Sequence, residues 1–383
     1  MTIAIVGVGE TDYTFKDPRA PAAMAVDAIR RALDDAGLAA ADVDGVLTEG
    51  LTVAPVAPVD EVATRLGIRE RPFTAYFGLA GSGTVGAPML ARMAIESGEA
   101  SVVVMYFAIN LSGKGQGGAY SFHAADPAKA AFEMPFGYYG QPVYFAAAAA
   151  RYQHQFGLDP EHLGALAVAA RQHAQLTPNA LRREPLTMKE YLDQPPLAEP
   201  LRKADCCLVN DGAVAYVMTS VDRARDLAKP PVCVAGVGLA AKPVTQAQYF
   251  SQSKDLVSTA ANVSGPRALA DAGVGIGDID LAQIYDCFTM SLLLQIEDLG
   301  FAPKGEGGPF VAGDRTAPGG DLPINTHGGL LAQSYTVGAN HVVEAVRQLR
   351  HERGVAQVDG AEVALVAGLG APEHATLILT KDR

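Results

Sequence analysis

Apolar and polar positions along this chain follow two periods. Short apolar runs read as strands: Ile3 to Gly9, Val102 to Met105, Val214 to Met218, Val232 to Gly238, Val363 to Val366 and Ala375 to Leu379. Stretches of helical period lie between them, among them a small-residue segment from about Thr84 to Glu96 and another from about Asn340 to Arg350. Short strands alternating with longer helices predict an α/β fold.

The pattern repeats. Ile3-Ala4-Ile5-Val6-Gly7-Val8-Gly9 is echoed by Val232-Cys233-Val234-Ala235-Gly236-Val237-Gly238, and Ala32-Leu33-Asp34-Asp35-Ala36-Gly37 by Ala268-Leu269-Ala270-Asp271-Ala272-Gly273. Each then runs through an acidic turn into an apolar strand, at Asp42 to Leu47 and at Asp278 to Ile284. A repeat of half the chain implies duplicated halves, 1–229 and 230–383. The first half carries an insertion, about 108–203, with helices from Phe145 to Gln155 and from about Glu161 to Gln175. Its Gln194 to Pro200 piece reads as a loop, and its Gly113 to Gly118 tract as a flexible loop rather than a phosphate loop. Long insertions of this kind carry substrate or subunit contacts.

Composition narrows the function classes. The chain has 383 residues, 49% of them hydrophobic and 19% charged, which suits a large ordered core. A net charge of −12 and a pI near 5.1 argue against nucleic acid or an anionic membrane as main partner. The N-terminus opens directly as a strand, with no leader pattern and no apolar run of spanning length, so the expected compartment is the cytoplasm. The four cysteines, Cys206, Cys207, Cys233 and Cys287, form no CxxC pair, and the histidines show no metal-ligand spacing. No metal site is expected.

Two polar stretches stand out. Asn325-Thr326-His327-Gly328-Gly329 leads to Tyr335 and then a helix, and Ile284-Tyr285-Asp286-Cys287-Phe288 puts a second tyrosine after an apolar strand. A Gly-Gly pair lets backbone approach a ligand, and a following helix start favours negative charge. From spacing alone, a tight turn and two packed aromatics would read the same way.

With Cys206-Cys207-Leu208-Val209-Asn210-Asp211-Gly212-Ala213 and Gly305-Glu306-Gly307-Gly308-Pro309-Phe310, these motifs resemble the thiolase superfamily, and within it the thiolase-like lipid-transfer proteins of bacterial steroid degradation. The resemblance spans the whole chain. It implies a thiolase fold with αβαβα layers, a homodimer, and acyl-CoA thioester substrates, with CoA part of the substrate and no covalently bound cofactor. It also marks departures. The nucleophilic cysteine position falls on Gly81, in Leu79-Ala80-Gly81-Ser82; a thiolase histidine or asparagine position is Tyr285; another histidine position is Tyr335; and the C-terminal Cys-x-Gly loop reads Gly368-Leu369-Gly370.

Those departures remove thiolase chemistry and leave two phenols. The steroid-degrading relatives are retro-aldolases, so the resemblance implies that Tyr285 and Tyr335 supply acid and base for cleaving a β-hydroxyacyl-CoA with a tertiary β-hydroxyl. The products would be a ketone and a short acyl-CoA such as propionyl-CoA. Gly81, Ser82, Asp286, Cys287, Asn325, His327, Gly329 and Gly370 are expected to support or line the pocket, with Asp205, Asp211 and Gly212 forming a supporting turn. Two alternatives stand beside this: a non-catalytic acyl-CoA or lipid-binding subunit, and an acyltransferase using Ser82. The helix from Gly81 to Arg92 and the strand from Val102 to Met105 are expected near the dimer contact. The resemblance further implies a small OB-fold partner, of a type often carrying a zinc ribbon, in a heterotetramer docking at Gly113 to Gly118 and Pro195 to Pro200.

Overall fold

A computed structural model of the chain describes residues 3–51, 57–111, 127–245 and 249–382. The Gly113 to Gly118 tract therefore lies outside the described residues. The strands are β1 (Ile3–Glu10), β2 (Gly45–Leu51), β3 (Phe73–Leu79), β4 (Val102–Asn110), β5 (Pro196–Ala198), β6 (Leu201–Arg202), β7 (Asp211–Ser220), β8 (Val232–Ala241), β9 (Leu281–Ile284), β10 (Val363–Gly370) and β11 (Glu373–Lys381). Nine of them run β3-β2-β4-β7-β1-β8-β11-β10-β9.

The order contains its own repeat. From the outer edge inward, β2 and β4 are parallel, β7 is antiparallel to β4, and β1 is antiparallel to β7. In the same sense β9 and β10 are parallel, β11 is antiparallel to β10, and β8 is antiparallel to β11. The parallel bridge Ala282–Ile324 stands where β2 pairs with β3. The two series pair with each other at Ala4–Cys233 and Ile5–Val232.

Helices complete the layers. Pro21–Ala36 covers β1, β4 and β7, and Ala261–Ala272 covers β8 and β11. The repeated glycines explain that packing. A Cβ on Gly9 would stand 2.2 Å from the Ala28 carbonyl oxygen, and one on Gly238 would stand 1.9 Å from that of Ser264, so strand and helix touch backbone to backbone. Ala80–Ser97 and Ala339–Leu349 each touch strands of both series and fill the middle. Helix, sheet, paired helices, sheet and helix make the five layers of a thiolase fold.

Gly81 to Pro88 and Val102 to Ile109 are buried inside the chain, between strands or within the sheet, while Met89, Leu90 and Arg92, on the last part of the helix expected near a dimer contact, are half-buried. Small apolar residues mark internal close packing as well as they mark an interface. The edge strand β3 alternates half-buried and exposed positions from Phe73 to Phe77. The Gln194 to Pro200 piece is also more ordered than a loop: β5 and β6 pair across a cis Glu199–Pro200 bond. Among the described residues, no helix is long and apolar enough to cross a membrane.

Candidate active site

Tyr285 follows β9, and Tyr335 follows the short helix Gly329–Ala332. The fold brings their hydroxyl oxygens to 3.3 Å. Tyr285 is buried and Tyr335 half-buried. Burial pushes the Tyr285 phenol well above its ordinary range, and the neighbouring phenol and Cys287 thiol push the same way. Burial also raises Tyr335, with Cys207 adding to it. Both phenols are neutral in neutral water.

The Tyr285 ring occupies the space that Gly81 leaves. A Cβ at position 81 would lie 2.4 Å from Tyr285 Cδ2 and 2.8 Å from the Leu369 nitrogen. A cysteine at 81 and the observed Tyr285 therefore exclude each other. Gly338 leaves room on another side, where a Cβ would approach the same Cδ2 to 3.3 Å. Gly370 passes the first-half loop as closely, its hypothetical Cβ 2.2 Å from the Leu79 carbonyl oxygen.

Ser82 sits one residue on, at the start of the Ala80–Ser97 helix. Its hydroxyl accepts from Leu79 N–H at 3.1 Å and lies 2.7 Å from the Leu79 carbonyl oxygen and 2.9 Å from Glu373 Oε2. Its proton is thus committed to capping the turn. Ala80, at φ 44°, donates its N–H to Glu49 Oε1 at 2.6 Å.

The second-half loops are tied by side chains that fill backbone positions. Asn325, itself at φ 55°, accepts from Ile284 N–H at 2.7 Å and donates to the Ile284 carbonyl at 2.9 Å, which fixes the strand end just before Tyr285. Asp286 accepts from Leu330 N–H at 2.8 Å and from Leu331 N–H at 3.4 Å. The helix start at the Gly-Gly turn therefore holds the chain's own carboxylate. A Cβ on Gly329 would stand 2.0 Å from Asp286 Oδ2. His341 Nε2 lies 3.2 Å from Asp286 Oδ1, and His341 Nδ1 lies 3.1 Å from His327 Nε2. Burial holds His327 well below the usual imidazole range, with the neighbouring His341 acting the same way. It is therefore a neutral packing member of this cluster.

Cys287 is buried with its Sγ 3.5 Å from Ser291 Oγ, and burial pushes its thiol up to about 12. Such a thiol is not a nucleophile at neutral pH. Asp205 accepts from Thr289 Oγ1 at 2.6 Å and from Tyr191 Oη at 2.9 Å, securing the start of the Thr289–Asp298 helix behind the tyrosines. Asp211 instead accepts from Asp17 N–H at 2.9 Å.

Sequence reading missed three supports. Asn210 Oδ1 accepts from Tyr335 N–H at 2.7 Å, Thr84 Oγ1 donates to the Val337 carbonyl at 2.5 Å, and Gln295 Nε2 donates to the Tyr285 carbonyl at 2.7 Å. Only Asn210 carried a signal, as a polar residue before an apolar strand. Gly368, Leu369 and Gly370, expected as a loop, form the end of β10, and Leu369 there borders a small, mostly apolar cavity that Tyr144, Phe145, Tyr249, Phe250 and Leu294 also line.

Comparison with known proteins gives the family. Residues 243–381 match the family model described as thiolase C-terminal domain-like. The steroid side-chain-cleaving aldolase of Thermomonospora curvata is 35% identical, over 99% of this chain and 98% of its own. The 17-hydroxy-3-oxo-4-pregnene-20-carboxyl-CoA lyase of Mycobacterium tuberculosis is 37% identical over 98% of each chain. The solved structure of an Ltp2–ChsH2(DUF35) aldolase superposes with a TM-score of 0.91 at 33% identity, covering 100% of this chain and 98% of that one. The chain belongs to the thiolase superfamily, in the thiolase-like branch that includes these aldolases.

Proposed function

We propose that this chain is a carbon–carbon lyase, a retro-aldolase of β-hydroxyacyl-CoA thioesters derived from steroid side chains, with Tyr285 and Tyr335 as its acid and base. The carrying observation is the phenol pair at 3.3 Å beside a glycine that leaves no nucleophile. Relatives named as an aldolase and a CoA lyase, alike over nearly full length, support the same reaction class.

Two neutral phenols suffice because the reaction needs no net proton. The β-hydroxyl gives its proton to one phenol oxygen, and that phenol passes its own proton to the other. The Cα–Cβ bond breaks, its electron pair enters the thioester as an enolate, and the second phenol's proton ends on Cα. A ketone and a shortened acyl-CoA result, with no change of oxidation state. Neither phenol has to ionise fully, which suits groups whose burial disfavours phenolate. The test is product analysis with a β-hydroxyacyl-CoA carrying a tertiary alcohol. Ketone and short acyl-CoA in equal amounts are expected; unchanged substrate with folded protein would overturn the assignment.

Assembly belongs to the same reading. The solved aldolase is named for two components. For this chain we infer a small OB-fold partner, of the zinc-ribbon type, with two copies of each chain. Apolar surface on the insertion supports it: Phe132 is 77% exposed, Phe136 86% and Leu197 59%. A homodimer would use the open edge of β3 rather than the buried helix. Co-expression should yield a complex, and Phe132→Glu with Phe136→Glu should release the partner while the chain stays folded.

A further inference from the structure

Two neighbouring residues at the start of β11 reach both halves of the site. Successive strand residues point to opposite faces. Glu373 Oε2 accepts from Leu79 N–H at 3.1 Å and lies 2.9 Å from Ser82 Oγ, so it holds the turn containing Gly81. His374 points into the core, where its Nε2 lies 3.1 Å from Gln295 Oε1. Gln295 spends both N–H groups on carbonyls, that of Tyr285 at 2.7 Å and that of Ser291 at 2.8 Å.

Every role in this chain of contacts is fixed. With both Gln295 donors used, its Oε1 must accept, so His374 carries its proton on Nε2. His374 Nδ1 must then accept, and Ser264 Oγ donates to it at 2.6 Å. Ser264 Oγ in turn lies 3.0 Å from Thr376 Oγ1, which donates to it. All four side chains are buried. A fully satisfied buried network of one sense allows one arrangement. Burial holds His374 down to about 3, so the neutral tautomer persists at working pH.

We propose that His374 is a positioning residue for the aldol cleavage: through Gln295 it fixes the Tyr285 backbone, while Glu373 beside it fixes the Gly81 turn, so that one dipeptide sets how the Tyr285 ring seats against Gly81. This rests on the assignment of Tyr285 above. Tyr285 fits against Gly81 with no spare room, so loss of register moves the phenol relative to Tyr335 rather than only loosening the loop. A misplacement on the order of 1 Å costs roughly 10²-fold in rate.

His374→Phe keeps shape and removes the donor; His374→Gln keeps a donor where Nε2 stood. His374→Phe should lower kcat by roughly 10- to 100-fold with KM within about twofold. His374→Gln should restore most of kcat. In a Tyr285→Phe background, His374→Phe should cost less than about threefold, because it acts through Tyr285. Should His374→Phe not fold, Gln295→Glu, which removes the donors to Tyr285, carries the same expectation. Wild-type kcat in the folded variant, or an undiminished loss in the Tyr285→Phe background, overturns the proposal. Hydrogen exchange of the peptide containing Tyr285 gives a readout independent of turnover. It should quicken in His374→Phe and not in His374→Gln, and equal exchange in both overturns the proposal even for a chain that cleaves no thioester. Failure of wild-type cleavage alone falls on the aldolase assignment.

Discussion

At the scale of single residues, the phenol pair and the glycine beneath it make separable predictions. On the proposed roles, Tyr285→Phe and Tyr335→Phe each take away a hydroxyl with little change in packing, and each should lower turnover by roughly 10²–10⁴. Burial raises both phenols, so both keep their protons as pH rises through the neutral range. The kcat profile should be flat between about pH 6 and 8; a limb with a midpoint near 7 would show another group in control. Gly81→Ala should force Tyr285 aside, costing about 1–3 kcal/mol by overpacking as well as turnover. Combining it with Tyr285→Ala should recover much of the stability, measured by denaturant unfolding. The tyrosines were legible in the sequence because they stand at motif positions. What Gly81 accommodates was not, since a missing Cβ does not name the atom that fills its space. Gln295, Glu373 and His374 were equally silent, for single polar residues far apart in sequence meet Tyr285 only through the finished fold.

At the scale of elements, Asn325 replaces a strand neighbour. Asn325→Ala would orphan the Ile284 N–H and carbonyl in the core and leave an alanine at φ 55°. A loss of roughly 2–4 kcal/mol is expected from unpaired buried groups and the backbone strain together, read as a fall in Tm. The helices and strands that were read from their periods stand within a few residues of their observed ends, but β3 and the Val59–Leu66 and Thr289–Asp298 helices were not read at all. The Gly-Gly turn was legible as a helix start and not in its occupant, because Asp286 arrives from a different loop. Gln194 to Pro200 read as a loop because proline density hid a hairpin made of two very short strands. The helix from Gly81 to Arg92 read as lying near a dimer contact, and its small residues also pack closely against strands of their own chain.

At the scale of the whole molecule, the buried histidines couple stability to acid. Burial holds His374 down to about 3, against an ordinary value of 6.5. A depressed histidine favours the folded state fully above 6.5 and loses that support as pH falls, because the unfolded chain takes up the proton first. Between pH 7 and pH 5 the wild type should therefore lose about 2 kcal/mol more than His374→Gln. Comparing the two cancels the buried carboxylates Asp205 and Asp298, whose raised affinity for protons acts in the opposite sense. Urea unfolding at the two pH values measures the difference, and parallel slopes would refute it. The repeated strand order was visible as echoed glycine-rich strands, since close strand–helix contact demands the same small residues in each series.

The mutual exclusion at position 81 also has a direction. For redesign, that direction is fixed by space alone. A single substitution that writes cysteine at 81 drives its Cβ into the Tyr285 ring. Whoever wants a thiol in this centre must withdraw the tyrosine first, so of the two single steps only one is open.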